Sequence, residues 1–273
     1  LPEGDHTEVL DWERTSHIVR SATAIGVSIC ACRHEASHLG RACDRPLRSC
    51  LAFNYAAESL IRNGFADQIT IEEAEQILRE CKDAGLAQLG DTVRSRVAYI
   101  CNCCGCCCEM VQAMKRLDIR GAILTSNWIV EVDAQRCTGC GKCAEVCPVD
   151  AIDMTRRTNG KKPRSQAVPE ETLCLGCGVC QAQCESGAIR MKPREQRVFT
   201  PRTHVERIVA MAIERGRLSD LVFDNPQRLS HRALGPIARA IEKSPVFKAA
   251  MAVKPLQSAF LTRVVASAKR NLG

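Results

Sequence analysis

Aromatic side chains are scarce in this chain of 273 residues: Phe, Trp and Tyr together make up 4% of it. Sequence-tolerant binding of single-stranded nucleic acid relies on aromatic stacking platforms, so that class is disfavoured despite a net charge of +7. No apolar run approaches the ~20 residues of a membrane span. No charged n-region followed by an apolar stretch marks a secretory signal. A Rossmann glycine fingerprint, a P-loop and a nucleophile triad are all missing, so no nucleotide or substrate chemistry is indicated. The sequence does not open on Met, and a preceding N-terminal segment is expected.

Cysteine, by contrast, is abundant. There are 19, an odd number gathered in tight runs, whereas secreted disulfide proteins favour even counts spread through loops. Pairs two or three residues apart are awkward to bridge and well placed to chelate a metal. A reducing compartment, the cytoplasm, is therefore expected. The charge is also uneven. Residues 201–273 hold thirteen Lys and Arg against five Asp and Glu, a net +8, so the remainder is close to neutral.

Four regions follow along the chain. Helical periodicity marks a helix near Glu8–Ser21 and another from about Leu51, stopped by Gly64 in the C-terminal position that favours a residue without Cβ. Thr70 and Glu73 form a capping box, behind which Ile71, Ala74, Leu78 and Cys81 share one face up to Gly85. Cys81 on that stripe reads as a packing residue. A cysteine-dense run, Cys101–Cys108, leads into a short helix through Met110, Met114 and Leu117, and "WIVEVD" (128–133) reads as a strand. From Pro201 the pattern is helical: Val205, Ile208, Val209, Ala212 and Ile213 share one face, Ser244 caps a helix opening on Pro245, and Leu256, Phe260, Val264 and Ala268 mark another stripe.

Between these regions lies an internal repeat. "CTGCGKCAEVCPVDAIDM" from Cys137 and "CLGCGVCQAQCESGAIRM" from Cys174 agree at nine of eighteen positions without a gap; a basic hairpin, "RRTNGKKPR", joins them. Cys137, Cys140, Cys143 and Cys147, like Cys174, Cys177, Cys180 and Cys184, follow C-x2-C-x2-C-x3-C. Zinc ribbons would leave the third cysteine of each run idle. A cubane [4Fe–4S] cluster has four iron corners, and three cysteines at three-residue intervals can wrap three of them. Gly139, Gly141, Gly176 and Gly178 let the backbone approach. The repeat resembles the bacterial two-cluster ferredoxins, in which the fourth cysteine of each run crosses to the other cluster. The resemblance implies one cluster on Cys137, Cys140, Cys143 and Cys184 and another on Cys174, Cys177, Cys180 and Cys147. One departure is Glu185, where Cys147 is followed by Pro148; it is expected to alter the second cluster's surroundings without removing a ligand.

Ten further cysteines remain: Cys30, Cys32, Cys43, Cys50, Cys101, Cys103, Cys104, Cys106, Cys107 and Cys108. "CACRHEASHLGRACDRPLRSC" and "ICNCCGCCC", in this order before a two-cluster domain, resemble over residues 7–192 a little-characterised family of 4Fe–4S proteins from anaerobic metabolism. That resemblance implies electron transfer. "NCCGCC" also echoes, at Cys103, Cys104 and Gly105, the Cys-Cys-Gly modules of heterodisulfide reductases. On the residues themselves, two cysteine-rich loops flanked by helices would meet to complete one or two further iron–sulfur clusters. Adjacent cysteines such as Cys103 and Cys104 do not both point readily at one small zinc ion. Arg33 is placed to donate to a cluster sulfide or offset its charge. His34 and His38 share a helical face, as ligands or as polar packing.

The expected fold is α+β: a helical cysteine-rich N-terminal domain (1–128), a two-cluster ferredoxin-like domain (129–194) and a basic helical extension (195–273). The expected function is a ferredoxin-type subunit passing single electrons between a donor and a catalytic partner. The competing reading is a redox enzyme that uses a cluster at Cys101–Cys108. The tail is expected to dock on an acidic partner subunit, with self-packing and an anionic membrane surface as the alternatives.

Overall fold

The structure is a computed structural model that describes residues 7–117, 119, 123–158, 163–195, 198, 200–223, 227–252 and 263. Two compact units divide the chain, Pro2–Phe199 and Thr200–Gly273.

In the first unit a seven-stranded sheet has the order β4-β2-β3-β6-β5-β1-β7. Its strands are β1 (Thr7–Val9), β2 (Ile25–Ile29), β3 (Arg48–Phe53), β4 (Asp67–Gln68), β5 (Ala87–Asp91), β6 (Tyr99–Cys103) and β7 (Ile123–Leu124). All neighbours are antiparallel except β1 and β7. The helices between them are α1 (Trp12–Ser21), α2 (Ala31–His38), α3 (Asn54–Arg62), α4 (Ile71–Asp83) and α5 (Glu109–Leu117).

The helical N-terminal domain expected from periodicity is therefore corrected to a mixed helix-and-sheet layer. The expected helix from Leu51 begins only at Asn54, because Leu51, Ala52 and Phe53 are buried strand residues. Gly64 and Gly85 do stand in the left-handed region after α3 and α4, at φ +72° and +74°. The Thr70–Glu73 capping box is present in both directions, and Ala74, Leu78 and Cys81 are the buried face of α4.

Two smaller ladders follow in the same unit. β8 (Trp128–Val132) pairs antiparallel with β11 (Ile189–Pro193), and β9 (Ile152–Thr158) pairs antiparallel with β10 (Pro163–Pro169). Two short helices link one ladder to the other, α6 (Lys142–Glu145) between β8 and β9 and α7 (Val179–Ala182) between β10 and β11. One core joins this part to the sheet: Val9, Leu89, Val111 and Met114 pack with Ile129, Val130, Ala151 and Ile189.

In the second unit α8 (His204–Glu214), α9 (Leu218–Val222), α10 (Leu229–Glu242) and α11 (Pro245–Ala252) follow one another. Val209, Ala210, Ala212, Ile213 and Leu218 form a core of their own, with Phe247 against it. The buried Glu242 carboxylate accepts from the backbone N–H groups of Leu218 and Ser219, which supplies acceptors at the start of α9. The stripe through Leu256, Phe260, Val264 and Ala268 lies outside the described residues. No described helix is long and apolar enough to cross a membrane.

Candidate metal centres

All nineteen cysteines are free thiols, and the fold gathers eighteen of them into four groups. Two groups come from the repeat. Each copy runs strand, cysteine loop, short helix, strand, and the ladders interleave the copies because β8 of the first pairs with β11 of the second. The result is a crossed arrangement. The first cavity is lined by Cys137, Cys140 and Cys143 together with Cys184 from the other copy. The second is lined by Cys174, Cys177 and Cys180 together with Cys147. Four thiols around each of these spaces suit a four-iron cubane.

The glycines of the loops divide by task. A Cβ on Gly139 would collide with the Ser165 carbonyl, and one on Gly176 with the Trp128 carbonyl. These two let each cysteine loop lie against a strand. Gly141 and Gly178 face open space and instead hold the left-handed N-cap of α6 and α7, at φ 82° and 74°.

The surroundings of the two cavities differ. Burial pushes the Cys177 thiol up to about 12 and raises Cys147 and Cys180 as well, so protons must be displaced from this cavity when metal enters. At the first cavity, burial alone would raise Cys184. The Ser186 hydroxyl and the backbone N–H groups of Gly187, Ala188 and Ile189 outweigh it and lower the thiol. Glu185 reaches Lys142 at 2.6 Å, and Lys142 lines the first cavity. The Glu-for-Pro departure thus bears on the first cavity, not the second as expected, because the fourth cysteine crosses over. In the second, Ala151 N–H donates to Cys147 Sγ at 3.2 Å and Arg194 holds the Cys174 carbonyl.

Of the other ten cysteines, Cys43, Cys104, Cys106, Cys107 and Cys108 lie in loops or turns, while the other five are placed by strands and a helix start, where loops alone were expected. Cys101 and Cys103 lie on β6, Cys50 on β3, and Cys30 ends β2 as the N-cap of α2, which carries Cys32. Strand alternation then separates neighbours: Cys101 and Cys103 share a face, while Cys104 leaves in the other direction. The antiparallel register that sets Leu51 opposite Ile100 brings Cys50 to Cys101.

Six thiols close a ring in the order Cys30, Cys32, Cys108, Cys103, Cys101, Cys50, each interacting with the one on either side. Cys32 is lowered to about 2 by the thiols of Cys108 and Cys30 against the effect of burial. Cys101 is lowered to about 5 by those of Cys103 and Cys50. The remaining four are raised.

The fourth group is Cys43, Cys104, Cys106 and Cys107, whose sulfurs all lie within 4.8 Å of one another. Two arginines serve it. The buried Arg33 donates to the carbonyls of Pro46 and Asn102 and to Ser49 Oγ. Burial alone would favour loss of its charge, but the thiols of Cys104 and Cys43 hold it charged. Arg45 had no signal in the spacing; its Nε donates to the Ala84 carbonyl at 2.9 Å and its Nη1 reaches Cys106 Sγ at 3.9 Å. His34 and His38 meet each other edge to face, with Nε2 atoms 3.3 Å apart, and join none of these groups.

The two halves of the unit touch at the cysteine run itself. A Cβ on Gly105 would stand 2.7 Å from the Pro148 carbonyl oxygen and 2.9 Å from its Cα, so the 104–107 loop lies directly on the residue after Cys147. Lys115 on α5 adds an ion pair of 2.6 Å to Asp150. Cys103 and Cys108 pack in one core with Cys143, Cys174 and Cys180. Residues 136–188, which hold all eight cysteines of the repeat, match the family model of the 4Fe-4S dicluster domain. No curated protein matches the chain.

Proposed function

We propose that this is an electron-transfer protein that passes single electrons between a donor and a catalytic partner subunit. The observation that carries the reading is the pair of crossed four-cysteine cavities inside a stretch matching the 4Fe-4S dicluster model. Cys137, Cys140, Cys143 and Cys184 would hold one [4Fe–4S] cluster, and Cys174, Cys177, Cys180 and Cys147 the other. When bound, such a cluster takes up and releases one electron, at a potential tuned by charge, hydrogen bonds to sulfur and exposure. The chain tunes the two sites apart: the first has Lys142, the Ser186 hydroxyl and the N–H groups of residues 187–189, whereas the second is drier. Three thiols of the six-membered ring, Cys101, Cys103 and Cys108, pack in the same core as both cavities, and the ring would hold one further iron–sulfur cluster.

The 200–273 unit docks on the partner. It carries the +8 excess, and Leu234, Ile237 and Ile241 lie exposed along α10, which suits an acidic surface with an apolar centre. Anaerobically purified full chain should contain about eight iron atoms from the repeat alone and about twelve with the ring occupied, and should give a paramagnetic signal on reduction. Zinc with only a trace of iron would end the reading. A ring signal altered by disulfide substrates would favour the reactive-cluster reading instead. Truncation after Val198 should keep the cluster spectra and abolish co-purification with the partner. Loss of the clusters would show that the tail is part of the core.

A further inference from the structure

We infer that Cys43, Cys104, Cys106 and Cys107 form a site for a single tetrahedral zinc ion, separate from the iron–sulfur sites. The separations are those of one ion's coordination shell. Cys43 Sγ stands 3.8 Å from both Cys104 and Cys107, and Cys107 stands 3.7 Å from Cys106, so the turn at 105–107 brings two adjacent thiols to one point, against the expectation that adjacent cysteines do not share one small ion. A Zn–S bond of about 2.3 Å places the sulfurs of a regular tetrahedron about 3.8 Å apart. Thiolates carried by four separate iron corners stand wider than those of one ion. Among the described residues, this is the group of ligand atoms gathered within 4.8 Å of one another, and no thiol of the six-membered ring belongs to it. A disulfide is excluded by the same distances.

Three further features fit a closed structural site. Cys104 and Cys107 have the C-x2-C spacing of a metal knuckle, and the Cys107 N–H donates to Cys104 Sγ at 3.4 Å. A divalent ion with four thiolates carries a net charge of −2. Arg33, which meets Cys104 and Cys43, and Arg45, which meets Cys106, supply two compensating charges. Finally, Cys104 and Cys107 pack with Ala36, Cys81 and Leu86, a core patch separate from the one that Cys101, Cys103 and Cys108 share with the ferredoxin cavities. The site is off the redox line. Its role follows from position: it ties the Cys43 segment to the 104–107 loop, and so holds Gly105 against Pro148.

The test is metal analysis of the full chain, purified anaerobically from iron-replete cells. About one zinc per chain is expected alongside full iron, with zinc-edge X-ray absorption showing four sulfurs near 2.3 Å and no neighbouring metal. Cys43→Ser should remove the zinc and leave the iron count unchanged. If that variant does not fold, the absorption spectrum of the unmodified chain decides. The proposal is overturned by a fully iron-loaded chain without zinc, by zinc with iron neighbours, by zinc retained in Cys43→Ser, or by that variant losing about four iron atoms in place of the zinc.

Discussion

The two cysteine-rich halves of the first unit use the same ligand in opposite ways. In the repeat, eight thiols line two cavities in crossed sets of four, with the backbone crossing between copies. In the sheet half, six thiols interact around a ring and four are packed around a point. The difference teaches that spacing along a chain fixes the site only when the loop itself is the site. C-x2-C-x2-C wraps its own cavity, whereas in the sheet half strand register decides which sulfurs meet.

The largest effects should separate the halves. Gly176→Ala and Gly139→Ala each force a side chain into the left-handed region, costing about 1–3 kcal/mol. Each also drives a Cβ into the carbonyl of a neighbouring strand, a further cost of about 1–3 kcal/mol. Gly178→Ala and Gly141→Ala face open space and should pay only the first cost. Denaturant unfolding under anaerobic conditions, with iron counted, should rank the pairs in this order; equal effects would mean that the loops do not lie against the strands.

Next comes the joint between the halves. Gly105 adopts no left-handed conformation, so Gly105→Ala pays overlap with Pro148 alone, about 1–3 kcal/mol. Its distinctive signature is a perturbed spectrum of the second cavity's cluster, because Pro148 follows Cys147. An unchanged spectrum and midpoint would break the claimed contact. Within the sheet half, Thr70→Ala removes the cap of α4 and should cost about 1 kcal/mol, leaving the ferredoxin spectra as they are. Smallest of all is Glu185→Gln. Its ion pair with Lys142 is largely exposed, with Glu185 82% accessible, so stability should hardly move. Any change should appear in the potential of the first cavity's cluster, not the second.

Much of the ferredoxin half was legible in the sequence. Cys137–Cys147 and Cys174–Cys184 carry a rigid spacing whose only economical use is a cubane, and "WIVEVD" reads as the strand that is β8. Thr70 with Glu73 and the glycines after α3 and α4 were readable too, because capping is local chemistry. The sheet half hid itself. "SIC", "SCLAF" and "YICNC" are short runs in which a cysteine passes equally well for a strand residue, a helix residue or a loop ligand. The partition of Cys103 from Cys104 depends on the alternation of β6, and the meeting of Cys50 with Cys101 on register between strands fifty residues apart in sequence. Arg45 and the Gly105–Pro148 contact are likewise products of tertiary packing, with no local pattern to announce them.

The central claim is that the repeat's cysteines work in crossed sets. It is tested most directly by iron content and reduced-state paramagnetic spectra of Cys137→Ala, Cys184→Ala and the double variant in the full chain. Members of one cluster act as a unit, so both single variants should lose the same signal and about four iron atoms, and the double variant should lose no more than either. If the two single variants lose different signals and the double variant loses both, each run serves its own cluster and the crossed arrangement is wrong.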